Sequence, residues 1–194
     1  MKKIFITAFI LVLIDQVIKV LIKTHFELGP VKEIFDWFII HFTENPGMAF
    51  GIELFNKAFL TIFRVSVVVI GIFYVKSIIK PSFPAGGLIS LGLIIGGAIG
   101  NIIDSTFYGV IFSESTHSTV ARFLPETGGY SSLLHGSVVD MFYFPFFTVD
   151  LPNWLSFLEG NDGFTFFAPI FNIADAGISI GIFIILLFYR KIFN

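Results

Sequence analysis

The stretch FNIADAGISIG, residues 171–181, opens the last long apolar segment of the chain and places a carboxylate, Asp175, near its start. A carboxylate in or next to the hydrocarbon of a bilayer is costly, so it needs a partner or a function there. A second carboxylate, Asp140, lies upstream in GSVVDMF, residues 136–142, after a long polar loop. Two aspartates brought to the mouth of a helical bundle by separate parts of the chain suggest an acid/base pair.

The composition around this stretch is typical of a membrane protein. The 194 residues are 55% hydrophobic and 13% charged, whereas soluble domains are about a quarter charged. The 27 phenylalanines suit lipid-facing surfaces and membrane interfaces. The chain has no cysteine, which excludes disulfides and thiol chemistry. We predict an all-α membrane protein in which residues 1–194 form a single integral domain.

Four apolar segments have about the length of a membrane-spanning helix, which needs about 20 residues. The predicted spans are residues 4–22, 58–79, 86–104 and 167–188, and the predicted outer loops are residues 23–57 and 105–166. Within the first loop, residues 31–42 alternate loosely and indicate a strand or an interfacial surface. Within the second, the aromatic segment around Trp154 and Phe157 suits the membrane interface.

The basic residues indicate the orientation of these spans. Both termini and the connection between spans two and three carry six basic residues and no acidic ones: Lys2, Lys3, Lys76, Lys80, Arg190 and Lys191. By the positive-inside rule, this side is cytoplasmic. Both termini are therefore predicted to be cytoplasmic, and the two long loops to be extracytoplasmic.

Charged residues also interrupt the interiors of the predicted spans. Asp15 and Lys19 lie one turn apart on the same face of the first span, and we predict a structural ion pair. Arg64 lies within the second span, and we predict a structural role for it as well. Asp104 ends the third span beside Asn101, and we predict that it pairs with Lys19, Arg64 or a loop amide.

Small residues recur on the third and fourth spans. They are Gly92, Gly96 and Gly100, and Ala174, Gly177 and Gly181. Stripes of this kind allow neighbouring helices to approach closely.

Polar side chains gather at the outer ends of the spans, and two interpretations of Asp140 and Asp175 are open. The two can form an aspartic dyad that shares one proton, because close carboxyls do not both ionise easily. The ionised member would then activate a water for attack on a peptide carbonyl. Alternatively, one or both cap helices or satisfy buried amides. The histidines show no metal-ligand spacing, so we expect neither a metal nor another cofactor.

Five blocks of the sequence resemble, in order, the motifs of lipoprotein signal peptidase, the signal peptidase II family of bacterial membrane aspartic proteases. The blocks are Asp15-Gln16 with Lys19, NPGMAFG over 45–51, GGAIGNIID over 96–104, GSVVD over 136–140 and FNIAD over 171–175. The resemblance implies four transmembrane helices, a small extracytoplasmic β-cradle and an interfacial amphipathic segment over the site.

The resemblance also implies the roles of individual residues. Asp140 and Asp175 would be the catalytic pair, and Asp15 and Lys19 would brace it. The residues implied to line or support the site are Asn45, Gly47, Asn101, Asp104, Asn172 and Ala174.

The reaction implied by the resemblance removes the signal peptide from a diacylglyceryl-modified prolipoprotein, cutting on the amino side of the lipidated cysteine. The expected partners are such prolipoproteins and membrane lipids, with no nucleic acid. The expected location is the bacterial inner membrane, with the site near the extracytoplasmic face, and the protein is expected to be a monomer. Globomycin-type cyclic peptides should inhibit it.

Two departures from the family pattern stand out. The family usually has arginine after the aspartate of the third span, where this chain has Ser105. The insert of residues 105–139 is also longer than in most members. It could be a lid, a determinant of substrate choice or a tolerated surface loop.

Two other classes of function remain as alternatives. The charged residues Asp15, Lys19, Arg64 and Asp175 would also suit a small transporter or proton relay. Against this, the halves show no repeat and the carboxylates gather at one end. A non-enzymatic membrane scaffold or lipoprotein chaperone would bind without hydrolysis.

Overall fold

The computed structural model describes residues 1–47, 56–79, 81–149 and 164–190. Its elements are α1 (Lys2–His25), β1 (Val31–Phe35), β2 (Phe38–Asn45), α2 (Lys57–Ile78), α3 (Ala85–Ile103), β3 (Val138–Tyr143), β4 (Phe147–Val149), β5 (Phe164–Phe166) and α4 (Ile173–Ile184). A π-helical turn (Asp104–Tyr108) and a short last turn (Gly109–Ile111) extend α3, and a second π-helical turn (Ile185–Tyr189) extends α4.

Three helices in the described part of the chain are long and apolar enough to cross a membrane, namely Lys2–His25, Lys57–Ile78 and Ala85–Ile111. A fourth apolar helix, Ile173–Tyr189, is shorter. Large apolar side chains on these helices point away from the protein; Phe9, Phe73 and Phe183 are each more than 60% exposed. Such surfaces suit contact with lipid.

Two helices have ends that differ from the predicted span boundaries. The third span was expected to end at residue 104, but the helix continues to Ile111. Asp104 marks the end of the apolar sequence, yet it is fully buried and paired with Lys19, so the helix has no need to stop there. The fourth helix begins at Ile173 and not at residue 167, because Phe171 is held in a β-bridge with Phe142.

Glycines allow α3 to pack against α1 on one face and against α4 on the other. A Cβ atom at Gly96 would lie 2.8 Å from the Cα of Ala8. A Cβ at Gly97 would collide with the carbonyl of Ala174 in α4. Side chains at these positions would force the helices apart, so the predicted close approach is confirmed.

The strands form two small antiparallel sheets. The first has the order β1-β2-β3, and β4 pairs with β5 in the second. The predicted strand segment is thus the β1–β2 hairpin. In the first sheet, Thr43 lies opposite Asp140 and Asn45 lies opposite Val138. Residues 48–55 and 150–163, including the segment around Trp154 and Phe157, lie outside the described residues.

A hydrophobic cluster joins the first sheet to the helices. Its buried members are Ile22 of α1, Phe42 of β2, Val139 and Met141 of β3, Tyr108 and Phe112 at the end of the α3 extension, and Ala121. Because β3 is fixed between this cluster and the helix bundle, Asp140 has a defined position at the edge of the bundle.

Candidate functional site

A cavity of about 300 Å³ lies where α2, α3, α4 and the first sheet meet. Its polar lining consists of Asn45, Arg64, Asn101, Asp140 and Asp175. The rest of the wall is apolar and includes Phe63, Val67, Val68, Ala98, Ile102 and Val138. Both predicted catalytic aspartates therefore face one concavity, together with two of the asparagines expected to line it.

Asn172 connects the two carboxyl groups. Its side-chain Nδ2 donates to Asp140 Oδ1 at 2.6 Å, and its backbone N–H donates to Asp175 Oδ2 at 3.4 Å. Asn172 itself is fully buried. A single residue thus donates a hydrogen bond to each member of the pair.

The same residues form the N-terminal cap of α4. Asn172 Oδ1 accepts a hydrogen bond from the backbone N–H of Asp175 at 2.9 Å, which completes a reciprocal capping box. The second oxygen of Asp175, Oδ1, accepts from Asn101 Nδ2 at 2.8 Å. Asp175 therefore caps a helix and lines the cavity at once, so the two interpretations from the sequence do not exclude each other.

Asp140 lies in β3, outside the membrane-spanning helices, and is 6% exposed. Burial raises the pKa of Asp140 to about 7, and the neighbouring charge of Asp175 acts in the same direction. The hydrogen bond from Asn172 opposes this shift. A carboxyl with a pKa near 7 can hold a proton at neutral pH, as the acid of an acid/base pair must.

A buried ion-pair network lies behind the cavity. Lys19 Nζ lies 2.9 Å from Asp15 Oδ2 and 2.7 Å from Asp104 Oδ2. The ion pair predicted between Asp15 and Lys19 is thus present, and Asp104 has the partner expected for it. Lys19 also donates to Asn101 Oδ1 at 2.8 Å. This contact orients the Asn101 amide so that its nitrogen points to Asp175.

Asp104 supports the strand that carries Asp140. Its Oδ2 accepts a hydrogen bond from the backbone N–H of Val139 at 3.2 Å, and its Oδ1 accepts from Gln16 Nε2 at 2.9 Å. Gln16 Oε1 in turn accepts from the hydroxyl of Tyr108 at 3.1 Å. Asp104 does not line the cavity. The bonds of Gln16 to Asp104 and to Tyr108 were not foreseen, because Gln16 is far from both residues in sequence.

Ala174 is buried between helices and is also outside the cavity lining. Its backbone N–H donates to Asp15 Oδ1 at 2.9 Å. A Cβ at Gly100 would lie 3.3 Å from the Ala174 methyl. Ala174 thus supports the site by allowing the start of α4 to reach a carboxylate of α1.

The turn after β2 explains the glycine at position 47. Gly47 has φ of +93° and donates its N–H to Asn45 Oδ1 at 2.8 Å. A Cβ there would lie 2.6 Å from Leu60 Cδ2. A larger residue would therefore strain the backbone and collide with α2.

Arg64, expected to be a structural residue of its span, lines the cavity. Its Nη1 donates to Ser105 Oγ at 3.1 Å. Ser105 is the position at which the family usually has arginine, so a guanidinium from α2 occupies the space beside this serine.

The long insert is hydrogen-bonded to the helical extension of α3. Backbone N–H groups of Tyr130, Ser131 and Gly136 donate to the carbonyls of Phe112, Gly109 and Ser105 at 2.9, 2.8 and 2.9 Å. Of the three roles considered, a hinged lid fits these bonds least well.

Sequence reasoning also missed a buried cluster that links the insert to the first sheet. Lys23 forms an ion pair with Glu44 and donates to Ser115 Oγ at 2.8 Å. The hydroxyl of Ser115 donates to the same Glu44 oxygen at 2.7 Å. Glu44 lies opposite Val139 in the sheet, so the insert is tied to β2, the neighbour of the strand that carries Asp140.

No group of three or more His, Asp or Glu side chains in the described ranges is arranged to hold a metal ion.

Comparison with known proteins identifies the family of this chain. The family model described as signal peptidase (SPase) II matches residues 7–191. This chain belongs to the signal peptidase II family. A protein of Porphyromonas gingivalis named lipoprotein signal peptidase is 49% identical over 183 residues, which cover 94% of this chain and 80% of that protein.

A more distant relative and a solved structure match over similar lengths. The lipoprotein signal peptidase of Amoebophilus asiaticus is 34% identical, and the match covers 93% of this chain and 74% of that protein. A bacterial membrane enzyme solved by the in meso method at 1.9 Å resolution is 24% identical and superposes with a TM-score of 0.63. The match covers 96% of this chain and 92% of that chain. The fold is therefore that of a membrane enzyme.

Proposed function

We propose that this chain is a membrane aspartic endopeptidase that removes signal peptides from diacylglyceryl-modified prolipoproteins. Asp140 and Asp175 act as its dyad. The observation that carries the proposal is the pair of hydrogen bonds from Asn172, one to each carboxyl group, beside a shared cavity. Membership of the signal peptidase II family supports the class of reaction.

The raised pKa of Asp140 makes it the protonated member of the resting pair. Asp175, which accepts hydrogen bonds from Asn101 and Asn172, is the ionised member. In this mechanism Asp175 takes a proton from a water, and the water oxygen attacks the scissile carbonyl carbon. Asp140 donates its proton to the carbonyl oxygen. When the C–N bond breaks, the proton held by Asp175 passes to the leaving amine, and the proton on the oxygen returns to Asp140.

The proposed cut lies on the amino side of the lipidated cysteine. The apolar wall formed by α2 and α3 suits a substrate whose acyl chains remain in lipid while its peptide crosses the dyad. The charge distribution supports four spans, cytoplasmic termini and a site near the extracytoplasmic face of the bacterial inner membrane. We propose that a monomer suffices, because one chain supplies both carboxyls.

The proposed function can be tested with purified protein in lipid vesicles. The substrate is a diacylglyceryl-modified prolipoprotein, and the matched control is the same prolipoprotein without the lipid. We expect a mobility shift of the lipidated form only, a product that begins at the modified cysteine, and inhibition by globomycin. Equal cleavage of the unlipidated control would contradict the substrate assignment. No cleavage, with ion flux that depends on Asp15, would instead favour the transporter alternative.

A further inference from the structure

Arg64 occupies an unusual place for a charged residue of a membrane-spanning helix. It lines the cavity that contains both candidate catalytic carboxyls, and it is the sole cationic residue among the lining residues of the described chain. Within the described ranges, the guanidinium of Arg64 forms one hydrogen bond, and its acceptor is Ser105. A guanidinium has further N–H donors, and these remain available to the cavity.

Ser105 is a fixed acceptor for this guanidinium. The Ser105 hydroxyl is buried and donates its own proton to the backbone carbonyl of Asn101 at 3.0 Å. Its oxygen lone pairs are thus free to accept from Arg64. On the other side, a Cβ added at Gly47 would lie 3.6 Å from Arg64 Nη2. Arg64 is held between α3 and the turn after β2.

The second cation near the pair, the buried Lys19, is already paired with other carboxylates. Lys19 lies within 3 Å of both Asp15 and Asp104, so its single charge is shared by two carboxylates. Asp175, Lys19 and Asp104 are among the charged groups that act on Asp140. Those that act on Arg64 are Asp175 and Asp140. Asp15, Asp104 and Lys19 together carry a net negative charge. Without Arg64, ionisation of the Asp140–Asp175 pair would add further negative charge next to them.

We propose that Arg64, held by Ser105, is a positioning residue that stabilises the singly ionised state of the Asp140–Asp175 pair across the cavity. This rests on the proposed dyad and adds the cation that the dyad requires. An opposite charge near a carboxyl favours its ionised form. The base of the pair is therefore available at neutral pH although both carboxyls border an apolar cavity.

The test compares Arg64→Gln with the charge-conserving Arg64→Lys. Turnover of the lipidated prolipoprotein is measured from pH 5 to 9, and the protonated-carboxyl band is titrated in parallel by infrared difference spectroscopy. The band lost in Asp140→Asn identifies the pair. We expect Arg64→Gln to move both the pH optimum and the infrared midpoint upward by about one pH unit. Arg64→Lys should leave both within a few tenths of a unit.

A third variant relocates the cation. In Arg64→Gln with Ser105→Arg, the guanidinium approaches the same space from α3, and we expect the pH optimum to return toward that of the unmodified chain. Unchanged midpoints in Arg64→Gln, or equal shifts in Arg64→Gln and Arg64→Lys, would overturn the role of Arg64. The infrared titration needs no turnover, so the role of Arg64 is tested even if the protease assignment fails. Failure of that assignment would show separately, as absent cleavage by the unmodified chain.

Discussion

Two groups of carboxylates lie close to each other in the fold of this protein, and they differ in what surrounds them. Asp15 and Asp104 share the ammonium group of Lys19 at 2.9 and 2.7 Å and are sealed from the cavity. Asp140 and Asp175 face an open cavity, and within the described chain neither has a cation within ion-pair distance. Their hydrogen bonds come from neutral asparagine groups.

This difference separates a structural role from a chemical one. A carboxylate paired with a lysine is stabilised in its ionised form and does not readily bind a proton. Two neighbouring carboxyls beside a cavity share a proton that can be exchanged with a substrate. The two groups are also connected, since Lys19 orients Asn101 and Asn101 donates to Asp175. Substitutions in the first group should therefore alter stability most, and substitutions in the second should alter rate most.

The largest effect is expected for Asp140→Asn and for Asp175→Asn. Each should lower turnover of a lipidated prolipoprotein by about a thousandfold or more, because each removes one half of the acid/base exchange. The melting temperature should not fall for Asp140→Asn. Asp36→Asn, in the exposed β1–β2 turn, is the matched control and should keep full activity. Near-normal turnover in either site variant would remove the distinction between the two groups.

Lys19→Met should be the most destabilising change. It leaves Asp15 and Asp104 buried together without their shared cation, which costs about 3 to 5 kcal/mol. Chemical denaturation in detergent would measure the loss. Lys3→Met, at an exposed position of the same helix, should change stability by less than about 0.5 kcal/mol. Equal stability of the two variants would mean that the network is not structural.

Stability should depend on pH through Asp140. The pKa of this carboxyl is about 7 in the folded chain against 3.8 ordinarily, so the folded state binds the proton more tightly between these values. Stability therefore falls as pH rises from about 4 to 7, by about 2 to 4 kcal/mol. Asp140→Asn lacks this term, so its stability relative to the unmodified chain should increase over that window. A constant difference across the window would contradict the raised pKa.

The smallest effect is expected for Ser115→Ala in the insert. The change removes a neutral hydroxyl from the contacts of Lys23 and Glu44, at a cost of about 1 to 2 kcal/mol. The rate constant at saturating substrate should stay within about twofold, because the ion pair between Lys23 of α1 and Glu44 of β2 remains. A large loss of rate without loss of stability would assign the insert a direct part in the reaction.

The sequence predicted the features that depend on local patterns. The apolar segments, the β1–β2 hairpin and the close helix contacts follow from periodicity and small residues. The pair of Asp15 and Lys19 follows from their spacing of one helical turn. The predicted end of the third helix is wrong because Asp104 does not terminate it: Lys19 neutralises this carboxylate within the bundle.

Contacts between distant residues could not be predicted in this way. Arg64 and Ser105 are 41 positions apart, and Lys23 and Ser115 are 92 positions apart. No periodicity relates such pairs, because their meeting depends on how α1, α2 and the insert pack around α3. Asn172 illustrates the same limit. Its cap on Asp175 is a local pattern, but its bond to Asp140 depends on the position of β3.

The most direct test of the central claim is a mutant cycle on the pair, measured by single-turnover cleavage of a lipidated prolipoprotein with enzyme in excess. The rates of Asp140→Asn, Asp175→Asn and the double variant are compared with that of the unmodified chain. If the two carboxyls act as one unit, each single variant loses nearly all of the rate and the double variant is no slower than either. Losses that multiply in the double variant would mean that the carboxyls act independently, and would contradict the proposed dyad.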